Sequence, residues 1–226
     1  VSFFSVGGVT YVNLLDRLLP IIMDNGYSID VDDRRQSNES YEFSAVDEST
    51  FAHKTWPEKH SIAGQPVVLR DYQITIVNKY LTTPQRLQEI ATGAGKTLIT
   101  AALSERVEKY GRSIVIVPNK DLVRQTFDDY ENLGLDVGVY YGDKKDIGRT
   151  HTICTWQSLN SIKKRFRDGL DDMSLKDFSD GVVCVIVDEV HQAKADVLKD
   201  MLTKEFAHIP LRWGLTGTIP KEDHAK

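Results

Sequence analysis

Cysteine is scarce here. Only Cys154 and Cys184 occur in 226 residues, each inside an apolar run, at 152–155 and 182–187. Thiols that far apart lack the Cys-x-x-Cys spacing of a redox pair or zinc site, and two of them make no disulfide scaffold. They read as buried, inert side chains. Long apolar runs are missing too. No stretch approaches the roughly 20 residues that a bilayer-spanning helix needs, so a helical membrane protein is excluded. A cationic excess is also absent: 28 Lys and Arg stand against 33 Asp and Glu, a net charge of -5. Whatever anion this chain holds must be held by local geometry rather than by an overall positive field. No basic, apolar and small-residue succession follows Val1. A secretory leader is therefore not read, and a cytoplasmic location is the default expectation.

What is present is a soluble balance of 41% hydrophobic and 27% charged residues, enough for one α/β domain and a small extra module. Residues 1–50 mix short apolar patches with an acidic stretch from Asp30 to Glu48, and are expected to form a small α/β module. Within it, Pro20 divides the leucine-rich stretch Tyr11 to Asn25: a strand or turn before it, a short helix after it, and Gly26 as the stop. Tyr27 to Val31 is expected as a strand. Residues 51–66, with Pro57, Gly64 and Pro66, read as a linker.

From residue 67 to 226 the pattern becomes regular. Leu87 to Ala91, Ser113 to Val117, Val137 to Tyr141, His151 to Thr155, Val182 to Val187 and Arg212 to Leu215 are β-rich runs. Ile99, Ala102, Leu103 and Val107 recur at helical spacing, as do Leu122, Val123, Phe127 and Tyr130. Strands buried on both faces and separated by helices imply a doubly wound α/β fold around a parallel sheet.

Two motifs carry chemistry. Ile90-Ala91-Thr92-Gly93-Ala94-Gly95-Lys96-Thr97 lies between a strand and a helix. It reads as a phosphate-binding loop: glycines let the backbone turn its amides toward an anion, and the helix N-terminus adds a positive dipole end. Lys96 would pair with phosphate and Thr97 would ligate Mg²⁺. Asp188-Glu189-Val190-His191 follows the apolar strand Val182 to Val187, where strand C-termini line the ligand crevice. Asp188 would hold the metal and Glu189 would polarise a water attacking the γ-phosphate of ATP.

In this order and spacing the motifs resemble a superfamily 2 helicase of the DExH kind. The resemblance covers Val67 to Thr218 and implies a RecA-like domain, with a central parallel sheet flanked by helices and ATP and Mg²⁺ as cofactors. By that resemblance Arg70 and Gln73 belong to the segment that reads the adenine, beside Thr92, Gly93, Ala94 and Gly95, and His191 joins the catalytic box. Pro118, Asn119 and Lys120, with Thr155 and Gln157, fall where the family touches a nucleic-acid backbone. Such contacts position a strand without reading its sequence. Thr216, Gly217 and Thr218 fall where nucleotide state is coupled to the strand. Trp156 reads as a core or rim residue, and Lys163-Lys164-Arg165 with Arg167 as a solvated helix face, with DNA contact as the alternative.

A narrower resemblance, on Arg17-Leu18-Leu19-Pro20 and Asn25-Gly26-Tyr27, is to phage recombination and repair helicases of the UvsW type. It makes the first residues a DNA-engaging accessory. The function implied is an ATP-dependent DNA helicase or translocase working on single-stranded or branched DNA, RNA not being excluded, in recombination, repair or replication. Alternatives are the motor subunit of a restriction enzyme, or a phosphate-loop ATPase or kinase acting on another substrate. The family completes its ATP site with arginines from a second RecA-like domain, which residues after Thr218 are too few to encode; a longer protein or a partner chain is expected to supply it.

Overall fold

The computed structural model describes residues 8, 10, 14–30, 32, 41–190 and 195–217. Chain contacts divide it into two compact units, Val1–Asn38 and Glu39–Lys226.

In the first unit the described residues include a helix, α1 (Leu15–Asp24), with Pro20 inside it. The expected break at Pro20 does not occur. Leu15, Leu18, Leu19 and Ile22 share one half-buried stripe while Arg17, Pro20 and Ile21 are exposed. A helical period with one apolar face outweighs the single backbone hydrogen bond that proline forfeits. Gly26 does end the helix, at φ +81°. Residues 27–30 are irregular rather than a strand, and Tyr27 is 70% exposed. Val31 lies outside the described residues.

The second unit carries a seven-stranded sheet in the order β1-β7-β6-β2-β5-β3-β4. Its strands are β1 (Gln85–Glu89), β2 (Arg112–Val117), β3 (Val137–Tyr141), β4 (Lys144–Lys145), β5 (His151–Thr155), β6 (Val182–Val187) and β7 (Leu211–Thr216). All neighbours are parallel except the β3–β4 pair. The expected strands appear within two residues of their positions. The exception in kind is β4, a two-residue charged strand on the sheet edge, where short charged strands blunt further pairing.

Helices cover both faces, and the strand pattern shows why. Val115 and Val117 of β2 and Cys184 and Ile186 of β6 enter one core. Ile114, Ile116, Val185 and Val187 enter the other. Alternate residues point to opposite faces, so a strand apolar at every position needs helices on both sides. The first core receives α2 (Asp71–Leu81), α3 (Lys96–Val107) and α4 (Lys120–Asn132); the second receives α5 (Trp156–Arg167), α6 (Leu175–Phe178) and a π-helical turn (Met201–Glu205) that continues α7 (Ala195–Asp200). Cys154 and Cys184 are buried and free, as their apolar runs imply, and burial pushes both thiols up.

The stretch read as a linker, residues 51–66, is mostly exposed, but it is anchored at Phe51 and Trp56, and the residues just before it are packed. Val46 and Phe51 are 2% exposed in the first core. The Asn78 side chain satisfies both backbone groups of Val46, accepting from its N–H at 2.8 Å and donating to its carbonyl at 2.9 Å. Lys109 Nζ donates to the Glu42 carbonyl at 2.6 Å, and Trp56 stacks on His60 with ring centroids 4.0 Å apart. Proline and glycine break regular structure here, but two apolar side chains and a set of borrowed hydrogen bonds tie the segment down.

Phe51→Ala should therefore destabilise the second unit by about 3–5 kcal/mol, read as a lowered urea midpoint. A true linker would leave the midpoint unchanged.

Candidate functional site

Because β1, β2, β3, β5, β6 and β7 are parallel, their carboxyl ends share one edge. The motifs sit along that edge in two groups.

At the ends of β1, β6 and β7 lies the phosphate-type loop. β1 ends at Glu89, and the loop turns into α3, which begins at Lys96. Gly93 and Gly95 hold φ of +82° and +75°, backbone that costs an L side chain about 1–2 kcal/mol. Lys96 and Thr97 open α3, where the first N–H groups have no carbonyl one turn back. Gln73, 3% exposed on α2, braces the loop: its Nε2 donates to the Ala94 carbonyl at 2.9 Å while its Oε1 accepts from Arg70 N at 2.9 Å. Tyr72 OH donates to the same carbonyl at 3.1 Å and receives the Arg70 guanidinium at 3.1 Å. Gln73 is thus engaged at both ends of its amide, and Tyr72 is a loop brace that motif reading missed. Its only signal was its place between Arg70 and Gln73.

Asp188 and Glu189 follow β6, which hydrogen-bonds onward to β2 through Asp188 N and the Ile116 carbonyl, 2.8 Å apart. Glu189 adopts φ +50°, rare for a side-chain-bearing residue and a strain that collects at functional sites. Among the described residues its carboxylate has two partners. One oxygen is ion-paired with Lys96 Nζ; the other accepts the Gly217 N–H at 3.0 Å. The Glu189 N–H in turn donates to Asp188 Oδ1 at 2.9 Å. A Cβ on Gly217 would stand 3.2 Å from Thr92 Oγ1 and 3.4 Å from Lys96 Nζ. Three separate motifs therefore converge on Lys96. Thr216, 2% exposed, accepts from Ile90 N through its carbonyl at 2.7 Å, closing the loop onto β7. His191 and Thr218 lie outside the described residues.

At the ends of β2, β3 and β5 lies an open groove of about 520 Å³. Pro118, Asn119, Lys120, Thr155 and Gln157 all line it, so five positions from two distant motifs meet in one place. Asn119 and Thr155 also cap the helices that start there: Asn119 Oδ1 accepts from Leu122 N at 2.9 Å and Thr155 Oγ1 from Ser158 N at 3.3 Å. Two helix N-termini thus open on the groove, and each favours negative charge. Tyr140, Gly142, Asp143, Lys145, Ser158, Ser161 and Arg165 complete the lining; of these only Arg165, in the basic cluster, was singled out by the sequence. Gly142 directly after a strand, and 157, 161 and 165 on one helical face, were the available signals.

Trp156 packs half-buried on the second core. The basic cluster on α5 is not one face: Lys163 donates to Asp200 at 2.5 Å and pairs with Glu205 at 2.9 Å, and Arg167 pairs with Asp168 at 2.9 Å. Hydrogen bonds from Lys163 and Lys204 hold the Asp200 carboxyl down to about 2.

One sheet edge divided between a loop for phosphate and a polar groove is the plan of a RecA-like domain from a superfamily 2 helicase. Residues 66–221 match the family model for the type III restriction enzyme, res subunit, and the chain belongs to that family. Among its relatives, the DNA 3'-5' helicase XPB of Kineococcus radiotolerans is 28% identical over 172 residues, 74% of this chain and 29% of that protein. The XPB of Mycobacterium tuberculosis is 30% identical over 166 residues, 69% of this chain and 27% of that protein. The chain spans less than a third of these curated relatives. Of solved structures, the UvsW helicase of bacteriophage T4 shares the fold at a TM-score of 0.71 and 19% identity, covering 96% of this chain and 75% of that one. The Hef helicase domain of Pyrococcus furiosus matches at 0.54 and 26% identity, over 69% of this chain and 34% of that one.

Gly95→Ala would place a Cβ 2.5 Å from Gln73 Nε2 at a left-handed φ. We expect a loss of about 1–2 kcal/mol from the backbone alone and more from the clash. Adding Gln73→Ala should recover the clash part, so thermal unfolding of the four proteins should show non-additivity. Strict additivity would mean that Gln73 does not pack on the loop.

Proposed function

We propose that this chain provides the ATP-hydrolysing side of a DNA helicase or translocase, coupling hydrolysis to movement on DNA or its remodelling. The observation that carries this reading is the arrangement along the sheet edge: Lys96, Glu189 and Gly217 converge at the ends of β1, β6 and β7, and the groove opens at the ends of β2, β3 and β5.

The residues present fit a nucleoside triphosphate. Two glycines hold the loop open for an anion, the first turn of α3 offers unpaired amides, and a half-buried ammonium waits beside them. Lys96 already carries an anionic partner in Glu189, so a phosphate group would exchange with a carboxylate rather than meet a bare cation. Thr97 and Asp188 would hold Mg²⁺, which draws charge from the phosphates when bound. Glu189, released from Lys96, is then the carboxylate placed to orient and polarise water. Gly217, bonded to Glu189 through its N–H, would sense that release; Thr216 and Thr218 flank it in the same role. Arg70 and Gln73 sit beside the loop as the adenine-side residues, and His191 completes the catalytic box.

In the groove, Asn119, Lys120, Thr155 and Gln157, with Pro118 shaping its floor, would hold a strand by its backbone. Arginines of a second RecA-like domain would close the ATP site and stabilise charge in the transition state. The relatives named as DNA 3'-5' helicases favour DNA over RNA. A setting in recombination, repair or replication, a DNA-engaging role for the first unit, and action in the cytoplasm complete the proposal. The family description favours one second reading: motor subunit of a restriction enzyme.

Titration calorimetry with ATP and Mg²⁺ tests the site. Lys96→Ala should weaken binding at least about tenfold while circular dichroism stays unchanged; Glu189→Gln should keep binding. In the protein joined to its second motor domain, Glu189→Gln should lower DNA-stimulated turnover by about 10²-fold or more. Unchanged ATP affinity in Lys96→Ala would remove the loop from the mechanism.

A further inference from the structure

The groove has a wall that the motif positions do not account for. β3 ends at Tyr141, Gly142 turns the chain at φ +54°, and β4 runs back antiparallel with Lys145 opposite Tyr140. That hairpin sets Lys145 Nζ 6.0 Å over the Tyr140 ring centroid, and both residues line the groove. Tyr140 is itself fixed, 6% exposed and edge-on to Phe178 at 5.2 Å. The cation therefore rests on a rigid platform although it is exposed.

The facing side is α5. Gln157, Ser161 and Arg165 recur at i, i+4 and i+8 on one helical face, about 12 Å of helix, and all three line the groove. Arg165 is braced by Asp171, whose Oδ2 lies 3.4 Å from its Nε, and by the Leu170 carbonyl, which accepts from its Nη2 at 3.3 Å. Asp171 offsets part of the positive charge of both cations, but it does not line the groove. Among the lining residues Lys120, Lys145 and Arg165 stand against one carboxylate, Asp143. A chain of net charge -5 thus concentrates three cations at one polar slot that two helix N-termini also face.

We propose that Lys145, carried by the β3–β4 hairpin, and Arg165, on α5, form the outer wall of this groove and bind the phosphates of single-stranded DNA. This rests on the DNA reading above and extends it to two residues outside the helicase motifs. Their role is sequence-independent grip. Each phosphate neutralised releases counterions, so each contact is visible as salt dependence.

The experiment is fluorescence anisotropy of a labelled oligothymidine with the chain of residues 1–226, across a salt series. Lys145→Ala and Arg165→Ala should each flatten the slope of log affinity against log salt by about 0.7, and the double variant by about 1.4. Arg165→Lys should restore the slope, since the count of phosphate contacts is restored. Lys164→Ala removes the same charge from an exposed neighbour outside the groove and should leave the slope unchanged. If Lys120→Ala flattens the slope and neither wall variant does, the wall is refuted and the DNA reading stands. If Lys164→Ala flattens it as much as the wall variants, the effect is diffuse charge, and the wall is refuted as well. If the unaltered chain shows no salt-dependent binding, the DNA reading falls and the wall with it.

Discussion

The Glu189 carboxylate holds two groups at once, the Lys96 ammonium and the Gly217 amide. Those groups come from the loop after β1 and the turn after β7, while Glu189 itself follows β6. Three strand ends are therefore tied by one side chain. The pair is largely shielded, with side-chain exposures of 10% and 14%, so solvent screens it less than a surface pair. The left-handed backbone at Glu189 directs the carboxylate toward these partners. Such a conformation persists only where the surroundings over-determine it, and here two partners do. A ligand that took Lys96 would break one of these contacts and leave the one to Gly217.

The same sheet edge explains why the groove lies where it does. Parallel strands deliver all their carboxyl ends to one side, and the helix that follows each strand begins there. Asn119 and Thr155 end one element and cap the next, so polar side chains and helix N-termini come as a unit. The ladder bond from Asp188 N to the Ile116 carbonyl joins the two halves of the edge. Movement at one half has a short covalent and hydrogen-bonded route to the other.

Much of this was legible in the residues. The loop around Lys96, the box after Val187 and the polar ends after Val117 and Thr155 are local motifs whose neighbours are buried strands, and local pattern placed those strands within two residues. Other features depend on partners distant in sequence. Residues 51–66 are anchored because Phe51 and, in part, Trp56 reach the core. Gln73 is bonded at both ends because Ala94 approaches it. None of these partners is adjacent in the chain.

Periodicity and motif order determined the strands and the doubly wound class and singled out the candidate site side chains, since each of these follows from neighbours along the backbone. Only the tertiary structure decided that Glu189 pairs with Lys96 and Gly217, that Lys163 is occupied by Asp200 and Glu205, and that Lys145 and Arg165 face one slot. The reason is physical. Strand order β1-β7-β6-β2-β5-β3-β4 is set by how buried surfaces pack across the sheet, and it brings together charges that the linear chain keeps far apart.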